Sequence, residues 1–224
     1  MTKSSAILII HGFGGSTAEI AYLVAAMQAK GHDVFAVLLA GHGGTKRDLR
    51  DTPYQDWINS VDVKVRELAQ TYDTIHLVGF SMGGLICTHL GALPNVDKII
   101  MVNTPIYFWN VRVILSDIAS GLWMRQFDQI TTYRKSVTNT AVKTGLDFLR
   151  LLATSKQQLR HVRNKTLILQ CIRDESVRPK SAAYLQQHSN GAEMKLYDGG
   201  RHGIFIVEDP LRETVCTDIM LFLR

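Results

Sequence analysis

The stretch Thr74-Ile75-His76-Leu77-Val78-Gly79-Phe80-Ser81-Met82-Gly83-Gly84-Leu85-Ile86 passes from an apolar, strand-like run to a helix-compatible one within two residues of a serine. Within it, Gly79-Phe80-Ser81-Met82-Gly83 is the sequence form of a nucleophile elbow. A strand-to-helix turn that tight leaves no room for side chains at Gly79 and Gly83 and pushes Ser81 into a strained, exposed backbone conformation. The Ser81 hydroxyl is then expected at a helix N-terminus, where developing negative charge is favoured.

Outward from this turn the same alternation repeats. Apolar runs rich in Ile, Val and Leu occur at Ala6 to Ile10, Asp33 to Leu39, Thr74 to Val78, Lys98 to Val102, Thr166 to Cys171 and Met194 to Tyr197. They read as buried strands. Helical patterns lie between and after them, at Thr17 to Lys30, Tyr54 to Thr71, Met82 to Ala92, Pro179 to His188 and Pro210 to Arg224. Alternation of this kind predicts an α/β fold, a mostly parallel sheet with helices on both faces. The pattern breaks once, between Asn103 and Lys165, a gap far longer than a crossover requires. Helically spaced residues there (Val113, Ile114, Asp117, Ile118 and Gly121, then Leu146, Leu149, Arg150 and Ala153) predict a small helical cap insertion, about residues 106–160, over the C-terminal edge of the sheet.

Composition narrows the class. With 224 residues, 46% of them hydrophobic, the chain can bury a core as one domain spanning 1–224 without disulfide or metal. Cys87, Cys171 and Cys216 fall inside predicted elements and read as reduced core residues. No zinc-ligand spacing and no His-Glu-x-x-His occur, so no metal site is expected. The polar start, Met1 to Ser5, and the short apolar run behind it fit neither a signal-peptide core nor a membrane span, which predicts a cytoplasmic protein without stable membrane insertion. The net charge is +5, and ten of the basic residues fall between Ile106 and Lys165 against three acids. Their wide spacing reads as solvated helix faces, not as a nucleic-acid surface. The oligomeric state stays open, a homodimer included.

A serine hydroxyl is a weak nucleophile near neutral pH and needs a base, and the base needs an orienting acid. Among eight histidines, His202 is the expected base: Asp198-Gly199-Gly200-Arg201-His202-Gly203 follows the last predicted strand and can reach the sheet's C-terminal edge. His76 and His89 lie inside elements, and His32, His161 and His188 near helix ends. The acid belongs at a strand end between serine and histidine. Val102-Asn103-Thr104 offers no carboxylate there, whereas Ile172-Arg173-Asp174-Glu175 does, which makes Asp174 the candidate, with Asp198 a poor second and Glu175 expected to point elsewhere. Negative charge on a tetrahedral intermediate needs backbone donors already in place. Met82 N–H, next after the serine, is one, and Phe13 N–H in His11-Gly12-Phe13-Gly14-Gly15-Ser16 is the other.

In these segments, together with Leu39-Ala40-Gly41-His42-Gly43, Arg173-Asp174-Glu175-Ser176-Val177 and Gly200-Arg201-His202, the chain resembles the α/β-hydrolase family from Ile7 to the C-terminus. The resemblance is closest to small bacterial carboxylesterases and monoacylglycerol lipases. It implies Ser81, Asp174 and His202 as nucleophile, acid and base, Phe13 and Met82 as oxyanion donors, a structural His42, no cofactor, and a small-molecule ester as substrate. The compact cap adds an expectation of short to medium acyl chains, with Tyr107, Phe108, Trp109, Trp123, Met124, Phe127 and Tyr133 forming either an acyl slot or the insertion's own core. Three alternatives stand beside this: a thioesterase whose basic insertion, with Arg112, Arg125 and Arg134, meets acyl-CoA; a perhydrolase or other α/β-hydrolase chemistry, since fold and triad do not fix the acyl acceptor; and a non-catalytic binding module on the same fold.

Overall fold

The computed structural model describes residues 4–108 and 136–224. Among these residues six strands form one parallel sheet: β1 Ser5–Ile10, β2 Asp33–Val37, β3 Thr74–Phe80, β4 Val96–Val102, β5 Lys165–Cys171 and β6 Glu193–Tyr197, in the spatial order β2-β1-β3-β4-β5-β6. The six predicted runs all become strands, with ends moved by one or two residues. Lateral position explains their composition. β1 and β3 are interior and apolar on both faces, whereas β6 is an edge that exposes Glu193, Lys195 and Leu196.

Seven α-helices accompany the sheet among the described residues: α1 Ala21–Gln28, α2 Lys46–Asp51, α3 Tyr54–Leu68, α4 Met82–Leu90, α5 Ser136–Gln158, α6 Lys180–His188 and α7 Arg212–Leu223. They divide between two cores. Ala6, Leu8, Ile10, Ile75 and Leu77 face α3, α4, α5 and α6, while Ile7, Ile9, Val78 and Phe80 face α1 and α7. The crossover side follows from strand order and right-handed connections. From β1 the chain moves outward to β2 through α1 on one face, then returns past β1 to β3 through α3 on the other. The direction of winding therefore reverses between β1 and β3, and an open parallel sheet binds ligands outside the strand ends at that point. α3 shows how an amphipathic stripe holds a layer in place. Trp57, Val61, Val65 and Leu68 are buried at three- and four-residue spacing, each worth roughly 1.5–3 kcal/mol of burial.

Two features were not in the sequence reading. Helix α2 is one, and its signal is present: Thr45 Oγ1 accepts from Asp48 N–H while the Asp48 carboxylate accepts from Thr45 N–H, a capping box. The other is the face of α5. Leu146, Leu149, Arg150 and Ala153, the residues whose spacing suggested the helix, are on its exposed side. Its buried stripe is Thr144, Asp147, Phe148, Leu151, Leu152, Ser155 and then Leu159. Polar residues occupy three places on that stripe, so counting apolar letters selects the wrong face. Ser155 is held by two partners: its hydroxyl donates to Leu85 O at 3.1 Å and lies 3.0 Å from His89 Nε2, joining α5 to α4. The end of the expected insertion is thus part of the main core. Val113, Ile114, Asp117, Ile118, Gly121, Arg112, Arg125, Arg134 and the aromatic residues from Trp109 to Tyr133 lie outside the described residues. Tyr107 packs edge-on against Tyr184, and Phe108 against Phe148 of α5.

Candidate active site

Ser81 follows β3 and caps α4 with φ 52° and ψ −120°, a backbone conformation that costs a non-glycine residue about 1–3 kcal/mol. Packing enforces it. A Cβ on Gly79 would collide with the Gly83–Gly84 backbone, one on Gly83 with Ile10 O, and one on Gly84 with Thr104. The turn is anchored by Ser81 N–H donating to Val102 O at 2.8 Å.

The structure brings Ser81, His202 and Asp174 together. Ser81 Oγ is 2.9 Å from His202 Nε2, and His202 Nδ1 is 2.8 Å from Asp174 Oδ2. All three are buried, at 7%, 4% and 2% exposure, so water competes little for these bonds. A ring nitrogen facing a carboxylate oxygen donates, so Nδ1 carries the hydrogen and Nε2 is left to accept from the Ser81 hydroxyl. The carboxylate is itself oriented. Asp174 Oδ1 accepts from Ser176 N–H at 2.8 Å and Val177 N–H at 2.7 Å, a tight turn made by residues directly after it. Asp198, the poor second candidate, is exposed and lies 3.9 Å from Arg173.

Burial works against a charged His202, but the Asp174 hydrogen bond and charge, with Glu175 and Glu19 behind it, outweigh that effect and raise its pKa above the ordinary 6.5. Only neutral imidazole can accept a proton at Nε2. Any reaction that uses His202 as base therefore has its acidic limb above pH 6.5, with kcat/KM falling about tenfold per pH unit below it. A kcat/KM profile between pH 5 and 9 checks this.

Sequence reasoning missed the groups that hold the histidine loop. Gly200 takes a positive φ of 68° against Cys171, which turns the chain back toward the sheet. His202 N–H donates to Glu175 Oε2 at 3.1 Å, so Glu175 engages the same residue as Asp174 through the backbone. Asp209 accepts from Arg201 N–H at 3.1 Å. Asn103, passed over for lack of a carboxylate, is fully buried with φ 48°; its amide donates to His202 O at 3.1 Å and Arg201 O at 3.3 Å, and its Oδ1 accepts from Cys171 N–H at 2.9 Å. The available signal was an Asn, a residue tolerant of left-handed backbone, at a strand end beside the site. Asn103→Ala leaves the buried Cys171 N–H and His202 O without these partners and is expected to cost about 2–5 kcal/mol in urea unfolding.

On the other side of Ser81 lies the loop after β1. Gly12 approaches so closely that a Cβ on it would stand 3.4 Å from Ser81 Cβ. His11 is fully buried; Nδ1 donates to Gly12 O at 2.8 Å and Nε2 accepts from Leu39 N–H at 3.2 Å, the pattern of a neutral ring, and burial lowers its pKa to about 4. Gly12 C=O and Phe13 N–H belong to one trans peptide, so the bond from His11 to the carbonyl also restrains the amide on the opposite side. Met82 is the first residue of α4, where an N–H has no intrahelical partner. His42 packs against His11, Phe13 and Trp57 with Nδ1 3.0 Å from Ala40 O, and burial lowers its pKa to about 4. Among the described residues no group of His, Cys, Asp and Glu could hold a metal ion, and no helix is long and apolar enough to cross a membrane.

Comparison with known proteins agrees with this architecture. The chain is 24% identical to a carboxylesterase of Bacillus subtilis (strain 168) over 230 residues, 98% of this chain and 92% of that one. It is 27% identical to a thermostable monoacylglycerol lipase of Bacillus sp. (strain H-257) over 199 residues, 85% of this chain and 78% of the other. A solved structure from work on LipS and LipT, two metagenome-derived lipolytic enzymes, superposes with a TM-score of 0.78 at 20% identity, covering 99% of this chain and 94% of that one, which shows a shared fold. The Hydrolase_4 family, described as serine aminopeptidase, S33, matches residues 2–209, and the chain therefore belongs to this family of α/β-hydrolases.

Proposed function

We propose that the protein is a serine hydrolase that cleaves carboxylic esters of short to medium acyl chains through an acyl-enzyme on Ser81. The observation that carries this reading is the continuous Ser81–His202–Asp174 hydrogen-bond chain, 2.9 and 2.8 Å, on a backbone strained to present the serine. The carboxylesterase and the monoacylglycerol lipase it resembles support an ester over other acyl groups.

In this mechanism Ser81 Oγ attacks the ester carbonyl carbon while His202 Nε2 takes the hydroxyl proton. Asp174 keeps the imidazole in the required tautomer and stabilises the imidazolium. Phe13 and Met82 N–H receive the oxyanion, and each such donor contributes on the order of 3 kcal/mol. Collapse expels the alcohol, which takes the proton from His202. Water then enters, gives a proton to Nε2, attacks the acyl carbon and releases the acid with Ser81 restored. No cofactor takes part in these steps.

The test is turnover of p-nitrophenyl butyrate beside butyryl-CoA, with and without a fluorophosphonate. Ester turnover that stops in step with modification of Ser81 is the expected result. Preference for the CoA thioester would replace the ester reading, and an inert Ser81 would favour a binding module.

A further inference from the structure

Among the described residues, Glu19 is the one acid buried beside the loop after β1 that the steps above do not use. It lies in the single turn Thr17–Ile20, which Ser16 caps by accepting from Ala18 N–H at 3.3 Å. That turn sends the Glu19 side chain back beneath residues that precede it by several positions. Its Oε2 accepts from Gly12 N–H at 3.0 Å, it is only 9% exposed, and Gly15 closes over it so tightly that a Cβ there would overlap the carboxylate. The two groups of Gly12 are therefore held from different sides, the N–H by Glu19 and the C=O by His11.

We infer that Glu19 is a positioning residue of the oxyanion loop: by holding Gly12 N–H it sets the direction of Phe13 N–H, one peptide further on, when the tetrahedral oxyanion forms. The inference rests on the reading of Ser81 as an ester-cleaving nucleophile. A flexible glycine at position 12 is what makes a second restraint necessary. A Cβ at position 12 would stand 3.2 Å from Glu19 Oε2 and 3.4 Å from Ser81 Cβ, so the loop runs close to both, and a glycine there has no side chain of its own to fix the backbone. His11 restrains one end of the peptide plane, and rotation about the Gly12 dihedrals is still free until the N–H is also held. Preorganised donors act only if they do not have to reorganise at the moment of reaction. Burial raises the Glu19 pKa to about 7 against the opposing effects of the Gly12 bond and His202, so the site accommodates a neutral side chain near neutral pH. Glutamine can therefore occupy it with its carbonyl oxygen on Gly12 N–H.

The experiment compares wild type, Glu19→Ala and Glu19→Gln with p-nitrophenyl butyrate and with an alkyl trifluoromethyl ketone, whose adduct on the serine carries the oxyanion. For Glu19→Ala, kcat is expected to fall on the order of ten- to a hundredfold with KM within about threefold, because the interaction is made in the transition state. Ketone affinity falls by the same factor, and Glu19→Gln returns both to within about threefold of wild type. Glu19→Met, which keeps the volume and removes the acceptor, replaces alanine if the smaller residue prevents folding. The inference is overturned if the acceptor-free variant keeps kcat, if it loses kcat with ketone affinity unchanged, or if Glu19→Gln is as defective as alanine. Ser81→Ala in the same assay separates the two levels: hydrolysis surviving that change sinks the nucleophile reading itself, whereas a dead Ser81→Ala beside a fully active Glu19→Ala sinks only the inference about Glu19.

Discussion

Ser81→Ala is expected to lower kcat for p-nitrophenyl butyrate by about 10⁵- to 10⁶-fold while leaving the fold intact. The size of the effect follows from what the residue does in the proposed cycle: without Oγ no acyl-enzyme forms, and His202 has no hydroxyl to deprotonate. Residual turnover comes from the oxyanion donors acting on water held in the site. The fold survives because Ser81 is positioned by its backbone. Its N–H bond to Val102 O and the close approaches at Gly79, Gly83 and Gly84 do not involve the hydroxyl. Thermal unfolding should therefore change little, and the variant should no longer react with a fluorophosphonate. Ester hydrolysis that persists above about one per cent of wild type would remove Ser81 from the mechanism.

Asp174→Asn is expected to be the next most damaging, about 10⁴-fold in kcat, although it is nearly isosteric. Asn Oδ1 can still accept from Ser176 and Val177 N–H, so the turn keeps its shape. The remaining atom facing His202 Nδ1 then becomes an NH₂ donor. The ring is driven to the tautomer with its hydrogen on Nε2, and that nitrogen can no longer accept from Ser81. A second signature separates this from misfolding. Asp174 supplies the leading favourable interactions that raise the His202 pKa against burial. In the asparagine variant burial prevails, the pKa falls, and the acidic limb of the residual kcat/KM moves to lower pH than in wild type. A residual profile with its limb unmoved would show that the Asp174 charge does not act on the base.

The order of these residues along the chain was readable because each sits where a local pattern ends. Strands finish at Ile10, Phe80, Cys171 and Tyr197, and the residues after them are Gly-rich turns or, after Cys171, the adjacent pair Asp174-Glu175. Parallel strands put all those ends on one edge, so topology converts sequence order into a cluster. The strands were legible for the same reason, since interior strands are apolar on both faces. Helix α5 was legible as a helix, but its face was not: Thr144, Asp147 and Ser155 are polar letters on the buried side, and only their partners, such as Leu85 O and His89 for Ser155, explain their place. Asn103 and Glu19 were missed because neither belongs to a motif. What each does depends on backbone groups far away in sequence or on a loop folded back over it, namely His202 O and Cys171 N–H for Asn103 and Gly12 N–H for Glu19.

The sequence by itself determined the order of the strands, the parallel sheet, the elbow at Ser81 and the identity of its candidate partners, since these follow from periodicity, glycine sterics and chain order. Only the tertiary structure decided the distances between Ser81, His202 and Asp174, the tautomer they impose, and the shell of Asn103, Glu175, Asp209 and Glu19 around them. The physical reason is that a hydrogen bond constrains position to within a few tenths of an ångström, and its partners are chosen by three-dimensional packing, on which local sequence pattern carries no information.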